Sequence, residues 1–235
     1  GVNKVLISDA DGLATWSTLS SFGWVLGGNA GTTTTDFIGT TDDKPLKFKI
    51  NNEKAGEIER NLGNAFWGYL AGNGNTNGGS NTAVGFQALF KSNGYNNTAN
   101  GYMSLYENTG DGNTANGASA LGANTSGHSN TATGWQALNR NTTGESNTAN
   151  GRDALYSNQT GSNNTALGYA ANVSTGNLTN ATAIGSGAIV NASNKVQIGN
   201  ADVTDVKLGG TTAVLETSQI KLTGGSPGAN KVLTS

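Results

Sequence analysis

The side chains that could support acid–base or metal chemistry are few in this sequence and lie far apart. His128 is the only histidine, and it lies in the turn-like stretch 126–129. We assign Asp111, Glu145 and Asp153 to different positions of their repeats and expect them to be solvated turn charges. Paired catalytic carboxylates would need a defined separation across a cleft. The sequence therefore predicts no catalytic residue.

A second candidate for chemistry is the stretch Asp9-Ala10-Asp11-Gly12, which has the opening of a calcium-binding loop. The residue at the loop position where such a motif carries glutamate is Ser20. The glycines at positions 72–79 have no strand–GxGxxG–helix context that would place them around a phosphate. We therefore expect no metal ion and no cofactor.

Two series of side chains recur at fixed spacing and are better candidates for contacts at the surface. Aromatic residues directly follow a recurring glycine at Phe86, Tyr102, Trp135 and Tyr169. Large aromatic rings dominate many binding surfaces, so we predict these four as contact residues. One threonine also recurs in each repeat, giving the series Thr82, Thr98, Thr114, Thr131, Thr148, Thr165 and Thr182.

Both series belong to one repeated unit, Asn-Thr-Ala-x-Gly. Copies begin at Asn81, Asn97, Asn113, Asn130, Asn147 and Asn164, in steps of 16, 16, 17, 17 and 17 residues. Degenerate copies lie at 64–68 and 182–185, and we interpret 196–199 as one more turn with a shortened loop. Self-similarity at a fixed short period is the sequence signature of a solenoid.

The composition limits the classes of protein that fit. Only 34% of the residues are hydrophobic and 12% are charged, which is a polarity found in disordered chains. A disordered chain has no need to place alanine and glycine at fixed offsets, so the repeats argue for folding. The net charge of −2, without basic clusters, argues against nucleic acid as a partner. No apolar run approaches the ~20 residues of a membrane span, so we expect no membrane insertion by this segment.

Each repeat combines Thr-Ala-x-Gly, a run that ends in Ala-Leu-aromatic, and a turn rich in asparagine, threonine and glycine. Because these turn residues disfavour helix, two short extended runs per coil are expected. We predict an all-β fold, a parallel β-roll (β-solenoid) of 16–17-residue coils over residues 64–200. Coils stacked ~4.8 Å apart would align an alanine ladder and a leucine ladder. The motif glycine is expected at a bend or a close backbone approach.

Alternation along the strand places threonine and the x residue on one face and alanine on the other. The x series is apolar at both ends and polar in the middle, where its asparagines are expected to bond along a ladder. The aliphatic and aromatic ladders exceed what one thin roll of alanines can bury. We therefore expect a homo-oligomer.

The flanks of the repeats are predicted to be β-rich connectors, residues 1–63 and 201–235. Alternation over Leu46–Ile50, a turn at 51–56 and a strand over 57–59 predict a β-hairpin. A further short strand is expected over 219–222. The first and last eight residues agree at six positions, so we predict that the chain is one long period of a filament. The end strands 4–7 and 231–234 should then be poorly paired in an isolated chain.

The stretch Asn180–Asn200 resembles the head repeats of trimeric autotransporter adhesins, the YadA-like parallel β-roll, through the Ala-Ile-Gly-x-x-Ala element at 183–188. The flanks 28–58 and 194–210 are similar to segments of tail-fibre-like bacterial surface proteins. The resemblance implies an intertwined homotrimeric fibre, exposed at a cell surface or on a phage-like particle, with attachment as its task. The typical coil of that family is shorter, and this chain shows no heptad stalk or anchor barrel.

We therefore predict a structural or adhesive segment of an extracellular trimeric fibre, and not an enzyme. Its expected partners are copies of itself, in a trimer and end to end, and a cell-surface or glycan receptor. One alternative is a trimeric tailspike-like enzyme that processes glycans, which would need clustered acids in a groove. Another is an ice-binding solenoid, favoured by the threonine series and opposed by its single threonine per coil.

Overall fold

The structure is a computed structural model, and it describes residues 4–8, 11–18, 37–204 and 206. These residues form strands and turns without helix, so the all-β prediction is confirmed for them. The fifteen strands are β1 Lys4–Ser8, β2 Ala14–Thr18, β3 Leu46–Ile50, β4 Glu53–Glu59, β5 Asn64–Trp67, β6 Thr82–Val84, β7 Thr98–Asn100, β8 Thr114–Asn116, β9 Thr131–Thr133, β10 Thr148–Asn150, β11 Thr165–Leu167, β12 Asn172–Val173, β13 Thr182–Ile184, β14 Ile189–Val190 and β15 Val196–Ile198.

The repeats stack as one parallel sheet. Strands β5 to β11, β13 and β15 pair in chain order within an 11-stranded sheet, so eight coils join nine strands. The pairing places threonine on threonine and alanine on alanine, as in Thr98↔Thr114 and Ala99↔Ala115. The last pairing, Thr182↔Val196, closes a coil of only 14 residues, which confirms the shortened final turn. Eight steps of ~4.8 Å give a rod of about 38 Å.

Each repeat strand is short because a glycine ends it. The alanine of Thr-Ala-x points into the roll, and the threonine and x side chains point outward, as the burial of β8 shows. Gly117 then turns the chain at φ +143°, and a Cβ there would lie 2.5 Å from the carbonyl oxygen of Gly134. The predicted bend and the predicted close backbone approach are therefore both confirmed at this position.

The second run of each coil is not the extended strand that the sequence analysis expected. Gln87 and Leu89 have φ values of 53° and 52°, and an alternation of left-handed residues cannot form a strand. The coils still bond to each other here, since Leu89 N–H donates to the carbonyl of Ser104 over 3.0 Å. Only β12 and β14, in the last coils, extend this side into a two-stranded parallel sheet.

The interior of the roll is a narrow stack of small side chains and leucines. The alanine ladder and the leucine ladder predicted from the sequence are both fully buried within the single chain. The leucines are Leu89, Leu105, Leu121, Leu138 and Leu155. The expectation that an aliphatic ladder needs sister chains is therefore wrong for these leucines, because one roll encloses them.

A hairpin covers the first coil. Strands β3 and β4 are antiparallel, as predicted, and β4 pairs antiparallel with β5. The turn is shorter than predicted, because Asn51 and Asn52 alone turn the chain with φ of 48° and 62°, and β4 already begins at Glu53. Lys54 donates to the carbonyl of Gly72 over 3.1 Å and lies 4.5 Å from the Phe66 ring centroid, so the hairpin closes the roll at this end.

The N-terminal residues 4–8 are paired, contrary to the expectation for an end strand. Strand β1 forms an antiparallel hairpin with β2, in which Leu6 faces Trp16. The partner is simply the next strand along the chain, which the end-to-end comparison did not consider. The strands predicted at 219–222 and 231–234 and most of the predicted C-terminal connector lie outside the described residues. Residues 9, 10 and 20 of the calcium-like stretch do so as well.

Candidate functional surfaces

The aromatic residues predicted to contact partners form a single exposed column on the roll. Phe86, Tyr102, Trp135 and Tyr169 each follow the glycine of their coil, and each is more than 40% exposed. Two residues of the same column were missed by the sequence analysis, namely Tyr69 and Arg152. We call this set the aromatic column; it consists of Tyr69, Phe86, Tyr102, Ala118, Trp135, Arg152, Tyr169 and Ser186.

The side chains of the aromatic column stack on one another along the rod. The ring centroids of Tyr69 and Phe86 are 5.6 Å apart, and those of Phe86 and Tyr102 are 5.4 Å apart, with nearly parallel planes. Further along, the guanidinium of Arg152 lies 4.6 Å from the Trp135 ring and 5.7 Å from the Tyr169 ring. Because cations bind aromatic faces, Arg152 continues the stack where an aromatic ring is absent. Tyr69 and Arg152 directly follow the motif glycine of their coils, as the four predicted aromatic residues do. This position was the sequence signal, but the prediction considered only a subset of the residues that occupy it.

The outer face of the parallel sheet is a second exposed surface. We call it the threonine face; it carries the threonine column Thr82, Thr98, Thr114, Thr131, Thr148, Thr165 and Thr182 beside the x column Trp67, Val84, Asn100, Asn116, Thr133, Asn150, Leu167, Ile184 and Ile198. The x side chains are all exposed. The x series, which is polar in the middle of the rod and apolar at its ends, therefore lies on one exposed face.

The asparagine ladders are inside the roll, which the sequence analysis did not foresee. The first asparagine of each motif is buried, and each bonds to the next coil. The backbone N–H of Asn97 donates to Oδ1 of Asn81 over 2.9 Å, and Nδ2 of Asn97 donates to the carbonyl of Gly110 over 3.0 Å. A second buried ladder contains Asn108, Asn124, Asn141 and Asn158. Asparagine recurs at these two positions in nearly every coil, and this recurrence was the sequence signal for the two buried ladders.

The turn charges are closer together than predicted. Asp111, His128 and Glu145 occupy one column in three successive coils, because each lies two residues before its motif asparagine. The backbone N–H of Asp111 donates to Nδ1 of His128 over 2.9 Å. The assignment of Asp111 and Glu145 to different positions is therefore wrong, whereas Asp153 does lie elsewhere, beside Arg152 at 3.2 Å. These side chains are on an open turn and not in a cleft.

Among the described residues, two charged groups have shifted pKa values, and both lie in ion pairs. Burial opposes ionisation of Glu57, but the ammonium groups of Lys54 and Lys47 more than offset it and hold the pKa of that carboxyl below its ordinary value. A hydrogen bond to Glu107 raises the pKa of exposed Lys91. The Lys47–Glu57 pair joins β3 to β4 and the Lys91–Glu107 pair joins neighbouring coils, whereas the Lys54–Glu57 pair lies within β4.

Within the described ranges, no group of three or more histidine, aspartate or glutamate side chains is arranged to hold a metal ion. These ranges also contain no helix that is long and apolar enough to cross a membrane. No protein-family model, curated protein or solved structure matches this chain. The two exposed surfaces are therefore the features from which a function has to be argued.

Proposed function

We propose that this chain is a stiff segment of an extracellular homotrimeric fibre, and that it presents a repeated surface for attachment to cells or other surfaces. One observation carries the proposal. At the ends of the threonine face, Trp67, Val84, Leu167, Ile184 and Ile198 remain between 37 and 56% exposed in the single chain. Burial of apolar surface contributes roughly 25 cal/mol per Å², so these two patches favour assembly with sister chains.

The number of chains and the setting rest on the resemblance to trimeric adhesin heads and tail-fibre-like proteins. A rod of three such rolls repeats every outward column three times around its axis and eight times along it. Weak contacts to a receptor then gain avidity, because the second and third contacts are intramolecular. The proposed role needs no catalytic residue, and it places the chain at a cell surface or on a phage-like particle.

Assembly is tested by sedimentation velocity and light scattering on the purified chain, with a trimer as the expected result. In the double variant Leu167→Asn/Ile184→Asn, both residues become the asparagine that occupies the same column at Asn100 and Asn116. We expect it to shift the chain toward monomer without unfolding it. The control is Tyr169→Asn, which changes the same coil on another side. A folded wild-type monomer at micromolar concentration would defeat the proposal.

Attachment is tested separately with beads coated with the chain. Beads that carry many trimers should adhere to bacterial or eukaryotic cells, and soluble chain added in excess should release them. Beads coated with an unrelated protein of similar charge serve as the control. If trimers form but the coated beads retain no cells, the proposed structural role stands and the proposed adhesive role is refuted.

An ice-binding solenoid is the second candidate, and one observation favours it. In the four central coils, β7 to β10, the exposed threonine column runs beside a second polar column of asparagine or threonine. The threonine face therefore has two regular polar columns there, although only one of them is made of threonine throughout. Thermal hysteresis of a dilute solution that disappears in Thr131→Tyr would support ice binding.

The arrangement of the acidic side chains argues against the third candidate function, a tailspike-like enzyme. Such an enzyme needs clustered acids in a groove, whereas Asp111 and Glu145 lie two coils apart on an exposed turn. Incubation of the chain with glycans should release no new reducing ends.

A further inference from the structure

The aromatic column has one empty rung. Between Tyr69 and Tyr169 each coil contributes an aromatic ring or a guanidinium, except the coil of Ala118. The methyl group of Ala118 is half-buried, and it lies between Tyr102 on one neighbouring coil and Trp135 on the other. The side chains on either side determine what this gap can hold.

The face of Tyr102 that points toward Ala118 is open. Phe86 stacks on the opposite face at 5.4 Å, with an angle of 13° between the planes, so the ring faces point along the rod. Tyr102 is 52% exposed, whereas Phe86, which has a ring on both sides, is 42% exposed. Within the described residues no ring other than Phe86 contacts Tyr102, so the face toward Ala118 is not covered by a ring.

Trp135 presents a face to the gap from the other side. The guanidinium of Arg152, one coil further on, lies 4.6 Å from the Trp135 ring and covers the face that points away from Ala118. No ring contact between Trp135 and Tyr102 is present in the described residues, because they are two coils apart. One face of Tyr102 and one face of Trp135 therefore point toward each other across the coil of Ala118.

The size of the gap suits one ring. Two coil steps amount to about 10 Å. The same column contains its own precedent, because Phe86 occupies the equivalent space between Tyr69 and Tyr102 in stacked contact with both. A six-membered ring that enters over Ala118 can thus lie against Tyr102 and Trp135 at the same time.

We propose that the slot formed by Tyr102, Ala118 and Trp135 binds one neutral pyranose ring of a glycan. The C–H groups on the faces of a pyranose carry partial positive charge, which is attracted by the negative face of an aromatic ring. Two such faces, one on each side of the slot, therefore match the two apolar faces of the sugar.

The rim of the slot matches the sugar hydroxyls. Asn100, Asn116 and Thr133 lie two residues before Tyr102, Ala118 and Trp135 on the same three coils, across the bend at the motif glycine, and are exposed. Their amide and hydroxyl groups supply both donors and acceptors, which hydroxyl groups require. The nearest charge in the aromatic column, Arg152, is paired with Asp153 at 3.2 Å. A neutral sugar therefore fits better than an acidic sugar or a charged peptide.

This inference names the ligand class for the attachment proposed above and takes its setting from that proposal. The test uses the full chain in affinity gels that contain neutral polysaccharides, namely a glucan, a mannan and a galactan. Titration of tryptophan fluorescence with cellohexaose, maltohexaose and mannohexaose gives the affinity. We expect the chain to be retarded by at least one polysaccharide and its tryptophan emission to change with the matching oligosaccharide.

Three variants locate the site. Ala118→Tyr fills the slot with the chain's own ring, and it should fold because Phe86 and Tyr102 already stack in this way. Together with Tyr102→Ala and Trp135→Ala, it should weaken sugar binding by up to about tenfold, the change in affinity that corresponds to the loss of one stacked ring. The controls are Tyr69→Ala, at the far end of the stack, and Ser186→Tyr, which adds a ring elsewhere in the column.

The outcomes separate the slot from the proposed function. Absence of sugar binding by a folded wild-type chain that still forms trimers and adheres overturns the slot alone. Sugar binding by a chain that stays monomeric or does not adhere keeps the slot and removes the proposed function. Equal losses in Tyr69→Ala and Tyr102→Ala overturn the slot, and so does an Ala118→Tyr variant that binds sugar normally. Dissociation of the oligomer by Ala118→Tyr identifies the occupant as a sister chain and also overturns it.

Discussion

Nδ2 of Asn124 donates a hydrogen bond to Oδ1 of Asn108, 2.7 Å away on the preceding coil, in the interior of the roll. Asn141 and Asn158 repeat the bond at 2.7 and 2.8 Å. The same amide of Asn124 also donates to the carbonyl of Gly127 at 2.9 Å, which holds the turn of its own coil. Buried amides that are bonded in this way stabilise the stack, because water cannot replace their partners.

Ser92 interrupts this ladder, and its replacement is the first prediction. The Ser92 hydroxyl is the one buried side-chain polar atom without a hydrogen-bond partner in the part of the chain that the structure describes. Asn108 holds the same position in the following 16-residue coil, so an asparagine has a native template. Ser92→Asn should raise the free energy of unfolding by about 1 kcal/mol.

Urea denaturation followed by circular dichroism gives the change for Ser92→Asn. Asn124→Ser makes a matching gap in the middle of the ladder and should lower the free energy of unfolding by ~1–3 kcal/mol. A decrease in stability for Ser92→Asn would mean that the interior has no room for the amide.

The second prediction concerns the motif glycine. In Gly117→Ala the new Cβ would meet the backbone of Gly134 on the next coil, and a backbone atom cannot move without separating the coils. We expect a loss of about 3 kcal/mol, at the upper end of the range for overpacked interiors, and a lower melting temperature. Gly112→Ala is the control, because Gly112 also has positive φ, of 67°, but its Cβ would meet nothing closer than 3.7 Å. The control should lose only ~1 kcal/mol.

Much of this architecture was readable from the sequence because identical coils require identical residues at contact positions. The period, the parallel register, the alanine and leucine ladders and the bend at the motif glycine all follow from that requirement, whereas the burial of the leucines within a single chain was not predicted. The aromatic residues after the motif glycine were predicted as surface-contact residues from their recurrence, and all four are exposed in the single chain. In-register stacking also made the shortened coil that ends at Ile198 predictable.

Other features could not be predicted from the residue types alone. Leucine disfavours positive φ, so nothing marked Leu89 or Leu121 as left-handed, and a strand was the natural expectation. Asparagine is common in turns, so its burial in two internal ladders was hidden by composition. The column of Asp111, His128 and Glu145 became visible only when the coils were aligned on their asparagines. Arg152 joins the aromatic column through a cation–π contact that a search for rings alone does not find.

The left-handed position two residues after the motif glycine gives the third prediction. Ala170 has φ of 53°, and the next coil has Gly187 at the same position with φ of 66°. Ala170→Gly should leave the chain as stable or up to ~1 kcal/mol more stable, because the strain removed outweighs the added freedom of the unfolded chain. Ala171→Gly removes an identical methyl group from a fully buried site without positive φ, and it should destabilise by ~1 kcal/mol. Chemical denaturation of Ala170→Gly and Ala171→Gly gives the free energy of unfolding of each variant. Equal losses in the two variants would contradict the prediction.

The last prediction concerns acid stability at the hairpin that covers the first coil. The side chain of Glu57 is mostly buried between Lys54 and Lys47, at 2.5 and 3.5 Å, and its pKa is held below the ordinary value of 4.5. A carboxyl group with a lowered folded pKa stabilises the fold at neutral pH, and this contribution is lost as the pH falls through the folded pKa. The urea midpoint should therefore decrease below about pH 4.5. Glu57→Gln should be less stable at pH 7 and should lose less on acidification, whereas Glu53→Gln, an exposed control in the same strand, should follow the wild type. An unchanged pH dependence in Glu57→Gln would show that other carboxyl groups control the acid transition.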